Sequence, residues 1–182
     1  MEEIYKKLQL TVIGNQGFFL KGILSQWYDS PFFEWNADGT FTSYNCAEKY
    51  MMYKKALLFG DAEIAHKILN TDSPSEIKKL GRMIKGFYSD LWDLHKVNIV
   101  YTGNLLKFSQ HPEYGRLLIN TPYLLAEANP KDNVWAIGKS VDDPNLTDCN
   151  SWGLNLLGKV LMKVRDAISR ETDKPFLNLT KQ

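Results

Sequence analysis

The sequence predicts a mainly helical α+β fold in a single compact domain, and three observations carry that prediction. From residue 45 onward, apolar residues recur at helical spacing behind recognisable cap residues. Residues 12–42 instead hold short aromatic and apolar runs broken by Gly17, Gly22, Pro31 and Asp38-Gly39, the texture of strands and loops. The 182 residues, 44% hydrophobic and 13% aromatic, supply material for one core, and no repeat, low-complexity tract or Ser/Gly linker divides them. One domain over residues 1–182, with its core at about 18–170, follows.

The elements follow in order. Short strands occupy the N-terminal third, with Phe18-Phe19-Leu20 among their apolar runs. Asn45 caps a helix with Glu48 at its third position, and Ala47, Tyr50, Met51, Lys54, Leu57 and Leu58 follow at helical spacing before Gly60 stops it. Asp61 caps a second helix to about Leu69, and Ser73-Pro74-Ser75-Glu76 opens a third through Ile77, Leu80, Met83 and Ile84. Residues 90–109 carry a longer helical pattern through Leu91, Leu94, Val97, Ile99, Leu105, Leu106 and Phe108, perturbed near Gly103 by that residue's freedom. A short helix at Glu113–Ile119 comes next. Residues 123–138 read as two strands, Tyr123–Glu127 and Val134–Ile137, joined by a turn at Asn129-Pro130-Lys131-Asp132. A last helix runs from about Gly153 to Ser169 with Leu154, Leu157, Leu161, Val164 and Ile168 inward.

Composition excludes several function classes. A net charge of +1, from 22 basic and 21 acidic residues, lacks the basic stripe of a duplex binder, so any phosphate recognition is local. Cys46 and Cys149 stand far apart with no CxxC pair, and His66, His95 and His111 show neither HExxH spacing nor acidic partners. Neither a metal nor a cofactor is expected, since Walker and dinucleotide glycine motifs are also missing. The charged opening Met1-Glu2-Glu3-Ile4-Tyr5 and the lack of a long apolar window predict a protein neither secreted nor membrane-embedded, with a reducing, cytoplasmic setting.

The helix beginning at Asn45 holds the most informative pair. Glu48 and Lys55, seven residues apart, project from nearly one face about 10 Å apart along the axis, with Met52 as an apolar floor between them. An acid and an amine on such a face can meet over one carbon of a sugar; the same residues equally suit a capping box and a solvated face. Trp27, Trp35, Trp92, Trp135 and Trp152 offer either stacking surfaces for a base or ordinary packing. Asp132, in a turn before an apolar run, is a functional carboxylate or an Asx-turn former. Gly138, with Gly153 and Asn155 at the start of the last helix, offers backbone N–H groups to a phosphate or simply caps that helix.

Several segments resemble the NADAR family, in that family's order, from about Phe18 to Arg165. They are Leu24-Ser25-Gln26-Trp27-Tyr28 with Ser30-Pro31-Phe32, then the most recognisable stretch, Cys46-Ala47-Glu48-Lys49-Tyr50-Met51-Met52-Tyr53-Lys54-Lys55-Ala56. Leu80-Gly81-Arg82, Gly86-Phe87, Trp92, Gly103-Asn104 and Leu106-Lys107-Phe108 follow. The C-terminal part adds residues 125–132, Val134-Trp135-Ala136-Ile137-Gly138 and Trp152–Gly158 running into Leu161–Arg165. Four positions depart from the family pattern: Ala136 replaces a glycine, Tyr53-Lys54 an Ala-Gln pair, and Asn129 a serine.

The resemblance implies hydrolysis of the bond between a ribose anomeric carbon and a nitrogen in a phosphorylated, nucleotide-like substrate. Two substrates come with it: a phosphoribosylamino-pyrimidine of the riboflavin pathway, and ADP-ribose attached to guanine, as a nucleoside or within nucleic acid. It makes Glu48 the proton-transfer residue, Lys55 or Lys107 a Schiff-base amine whose proton affinity burial must lower, and Asp132 the group that orients ribose or water. Ser25, Trp27, Trp92 and Trp135 then contact sugar or base, while Arg82, Gly138 and Asn155 bind phosphate. The competing readings are a non-catalytic sensor of ADP-ribose-like nucleotides and a purely structural interaction protein.

Overall fold

The computed structural model describes residues 6–172. The charged opening Met1–Tyr5 and the two ends of the expected domain lie outside them. Within them the expected mainly helical α+β architecture is present, with a three-stranded sheet, a two-stranded sheet and six α-helices.

The three-stranded sheet joins the two ends of the chain. Strand β1 (Thr11–Ile13) pairs antiparallel with β2 (Gln16–Phe19), and β2 pairs parallel with β5 (Leu124–Glu127), Phe19 opposite Glu127. Central β2 is buried at all four residues and feeds two apolar clusters. Phe19 enters the main helical core, while Phe18 packs with Ala126, Ala128, Ile137 and Leu146. The separate hairpin of β3 (Phe32–Trp35) and β4 (Phe41–Tyr44) alternates as strands should. Phe32 and Tyr44 face inward onto Tyr50, and Phe33, Trp35 and Phe41 stack on one another in solvent.

Helix α1 (Ala47–Leu58) is bounded differently from the cap expected at Asn45. Cys46 is the N-cap, with no side-chain cap bond, because the Asn45 side chain donates to the Asp72 carbonyl instead. Glu48 therefore lies in the first turn without closing a capping box, and its carboxylate is available for the interior. Helices α2 (Ala62–Leu69) and α3 (Pro74–Arg82) have the expected caps, Asp61 accepting from Ile64 N–H and Ser73 from Glu76 N–H.

Helix α4 (Ser89–Gln110) runs unbroken through Gly103, contrary to the expected perturbation. The glycine is there for clearance, since a Cβ at that position would lie 2.6 Å from Cδ1 of Tyr50. Along this long helix Leu94 is solvent-exposed rather than inward. Helix α5 (Pro112–Ile119) and helix α6 (Leu156–Thr172) complete the core, α6 lying along both α4 and β5.

Residues 134–137 form no strand. Their carbonyls, with that of Asn133, accept from five successive N–H groups: Leu154 to Asn133, Leu156 to Val134, Leu157 to Trp135, Asn155 to Ala136 and Gly153 to Ile137. The apolar run that reads as a strand is thus folded over the start of α6, where it satisfies the orphan donors every helix presents. Helix α6 accordingly begins at Leu156, after Asn155 at φ +49°, and Leu154 points to solvent.

Candidate active site

Where the end of β5, the first turns of α1 and the loop after β2 converge, they enclose a cleft of about 380 Å³. The loop supplies Ser25, Gln26 and Trp27; α1 supplies Glu48, Met51 and Met52; α3 supplies Lys78. Glu127 ends β5, and Asn129, Asp132 and Trp135 follow it, while Leu20 and Lys21 border the cleft beside β2.

Glu48 is the deepest titratable group on this surface. Its N–H donates to the Gln26 carbonyl at 2.9 Å, which locks the start of α1 to the loop, and the residue is only 4% exposed. Its Oε1 is buried with no hydrogen-bond partner, an arrangement that costs free energy unless a ligand completes it. Burial raises its pKa from 4.5 to about 7, and the Asp132 charge adds to the rise, while Lys78, the Trp27 side chain and Lys55 oppose it. A carboxyl poised there both gives and takes a proton at neutral pH.

Glu127, which sequence reasoning did not single out, shares the cleft. Burial foremost, then the charges of Asp132 and Glu48, raise it to about 7 as well. Its backbone is fixed by pairing with Phe19, by the Asn155 side chain accepting from its N–H, and by its carbonyl accepting from Ile137 N–H. The third carboxylate, Asp132, accepts from Val134 and Trp135 N–H through Oδ1, so it forms the Asx-type turn and also lines the cleft. Against these three acids stand two cations, Lys78 and Lys21. Lys78 also escaped sequence reasoning, its ammonium lying 5.9 Å from the Trp27 ring centre.

The remaining expected residues divide. Ser25, Trp27 and Trp135 line the cleft. The two lysines do not. Lys55 donates to the Gly81 carbonyl at 3.0 Å and lies over the rings of Phe87 and Trp92; burial lowers its pKa. Lys107 is fully buried behind the wall and donates to the Ser25 carbonyl at 3.0 Å, with burial pushing its pKa down to about 7. Trp92 packs on the core beside Lys55, and Arg82, at the end of α3, is exposed and away from the lining.

The phosphate reading of Gly138 and Asn155 meets a physical obstacle. Every N–H from Gly153 to Leu157 already binds a carbonyl of residues 133–137, so none of these five is free to meet an anion. Asn155 is a structural bridge, its amide donating to the Leu125 carbonyl and accepting from Glu127 N–H. Gly138, at φ +72°, is needed because a Cβ would collide with the Asn133 side chain. Ala136, the departure from the family glycine, is buried and does not narrow the cleft.

The NADAR domain family matches residues 18–169. The chain is 44% identical to N-glycosidase R617 of Acanthamoeba polyphaga mimivirus, over 79% of this chain and 86% of that one. It is 34% identical to N-glycosidase Npun_R5314 of Nostoc punctiforme, over 70% and 76%. In fold it is similar to the E. coli protein YbiA, solved by NMR, with a TM-score of 0.71 at 23% identity over 93% of this chain and 94% of that one.

Proposed function

Because the chain belongs to the NADAR family, we propose that it is an N-glycosidase that hydrolyses the bond between a ribose anomeric carbon and a nitrogen in a phosphorylated, nucleotide-like substrate. The observation that carries this reading is the buried, unpartnered Oε1 of Glu48 at the floor of a cleft bordered by Lys78 and Lys21. Breaking such a bond needs a proton for the departing nitrogen, a base for the attacking water and stabilisation of an electron-poor ribose carbon. Glu48 carries proton transfer, Asp132 orients ribose hydroxyls or water through the oxygen not committed to its turn, and Trp27 and Trp135 wall the sugar and base. Lys78 and Lys21 take the phosphate-binding role that the resemblance gave to Arg82, Gly138 and Asn155.

A cleft of about 380 Å³ favours a phosphoribosylamino-pyrimidine over ADP-ribosyl-guanosine, whose two nucleoside units would extend well beyond it. The test is incubation of the purified protein with both substrates and separation of the products by mass. Released aminopyrimidine with ribose 5-phosphate is the expected result, released guanosine with ADP-ribose would move the substrate to the ADP-ribosylated class, and two intact substrates would favour the nucleotide-sensor reading.

A lysine imine is the second mechanistic reading. Burial lowers the pKa of Lys55, and it brings that of Lys107 to about 7, where free amine is accessible at neutral pH. Either amine must first leave the carbonyl it now binds. Borohydride added during turnover, followed by protein mass measurement, separates the two mechanisms: a Lys55-dependent adduct establishes the imine, and unmodified protein during active turnover leaves direct attack by water.

A further inference from the structure

We propose that Glu127 is the general acid of this hydrolysis, giving its proton to the departing nitrogen while Glu48, as the carboxylate, takes a proton from the water that attacks the anomeric carbon. This assignment rests on the N-glycosidase reading and divides its acid and base roles between two named groups.

The geometry supplies the pair. Glu48 enters the cleft from a helix and Glu127 from the end of a strand, so the two carboxyl groups approach one ligand from different elements. Both backbones are pinned, Glu48 through the Gln26 carbonyl and Glu127 through β2 and Asn155, so neither acid depends on a mobile loop. Two buried carboxylates close enough to feel each other's charge do not ionise together easily; the first proton bound is held by the pair.

The surroundings decide where that proton resides. The titratable groups facing the pair are Asp132 from the loop after β5, Lys78 from α3 and Lys55 from α1, with Lys21 bordering the cleft beside β2. The charged form of Glu48 is favoured by Lys78, the Trp27 side chain and Lys55, that of Glu127 by Lys78 alone. Among the described residues no hydrogen bond or ion pair is made by the Glu127 carboxyl, so it keeps the proton. In the reaction the water oxygen bonds to the anomeric carbon as the carbon–nitrogen bond breaks. The electron pair of that bond goes to nitrogen, which receives the Glu127 proton. The water's proton goes to Glu48 and returns through solvent to reset the pair.

The experiment compares wild type with Glu127→Gln on two ribose 5-phosphate derivatives, one carrying an aminopyrimidine and one carrying 4-nitrophenolate, which departs without a proton. Glu127→Gln is expected to lower kcat on the aminopyrimidine by about 10²–10⁴-fold with KM little changed. It should also lose the fall in rate on the alkaline side of the pH profile and stay within about tenfold of wild type on the nitrophenyl compound. Retained activity on the aminopyrimidine, or equal loss on both compounds by a variant that melts like wild type, overturns the assignment. A wild type inert toward both, and toward ADP-ribosyl-guanosine as well, overturns the N-glycosidase reading itself, a failure distinguishable from the first two.

Discussion

Glu48, in the first turn of α1, and Glu127, the last residue of β5, line the same cleft, and the charge of Glu48 raises the proton affinity of Glu127. Four predictions follow from this pair and the packing around it.

Glu48→Gln removes the carboxylate while keeping the side-chain shape. We expect turnover to fall by about 10²–10⁴-fold while equilibrium binding of a substrate analogue changes by less than about tenfold. Calorimetric titration beside a steady-state assay checks this, and unchanged kcat would remove Glu48 from the chemistry.

The same variant should be more stable than wild type at alkaline pH. The folded pKa of Glu48 is raised to about 7 from 4.5, so its stabilising contribution is present below about pH 4.5 and lost as pH rises through 7. Above that, a carboxylate charge is held at a position only 4% exposed. Urea unfolding should show Glu48→Gln about 3 kcal/mol more stable at pH 8 and within about 1 kcal/mol of wild type at pH 5. Equal stability at both values would mean that the carboxylate is solvated.

Lys107 titrates with the opposite sign. Its folded pKa is depressed to about 7 from 10.5, so the fold binds its proton less tightly than the unfolded chain, and stability is lost as pH falls through the window from 10.5 to 7. Wild-type stability should therefore gain about 3 kcal/mol more than that of Lys107→Met between pH 6.5 and 9.5. Parallel pH–stability curves for the two proteins would contradict burial of this amine.

Lys78 faces the cleft with no hydrogen-bonded partner among the described residues. Lys78→Ala should raise KM about tenfold for a 5′-phosphorylated substrate, or ~1.4 kcal/mol, and change it little for the dephosphorylated one. An equal effect on both would place the phosphate elsewhere.

Helix boundaries were legible because their signals are local. Asp61 and Ser73 sit within three residues of the N–H groups they cap, and the caps formed as expected. Asn45 failed as a cap because a carbonyl distant in the chain, that of Asp72, took its amide. The run at 134–137 failed as a strand because its carbonyls were claimed by the N–H groups of residues 153–157, a pairing that no local pattern announces.

The sequence by itself determined the mainly helical α+β class, the family and Glu48, Asp132, Ser25, Trp27 and Trp135 as members of one surface. The periodicity of apolar residues, the cap residues and the ordered family motifs are all written along the chain. Only the tertiary structure decided that Glu127 and Lys78 join that surface, that Lys55 and Lys107 stand behind it bound to carbonyls, and that the N–H groups of residues 153–157 are already bonded to residues 133–137. Burial and hydrogen-bond commitment depend on which distant segments pack together, and they set the ionisation of each group and the donors still free to meet a substrate.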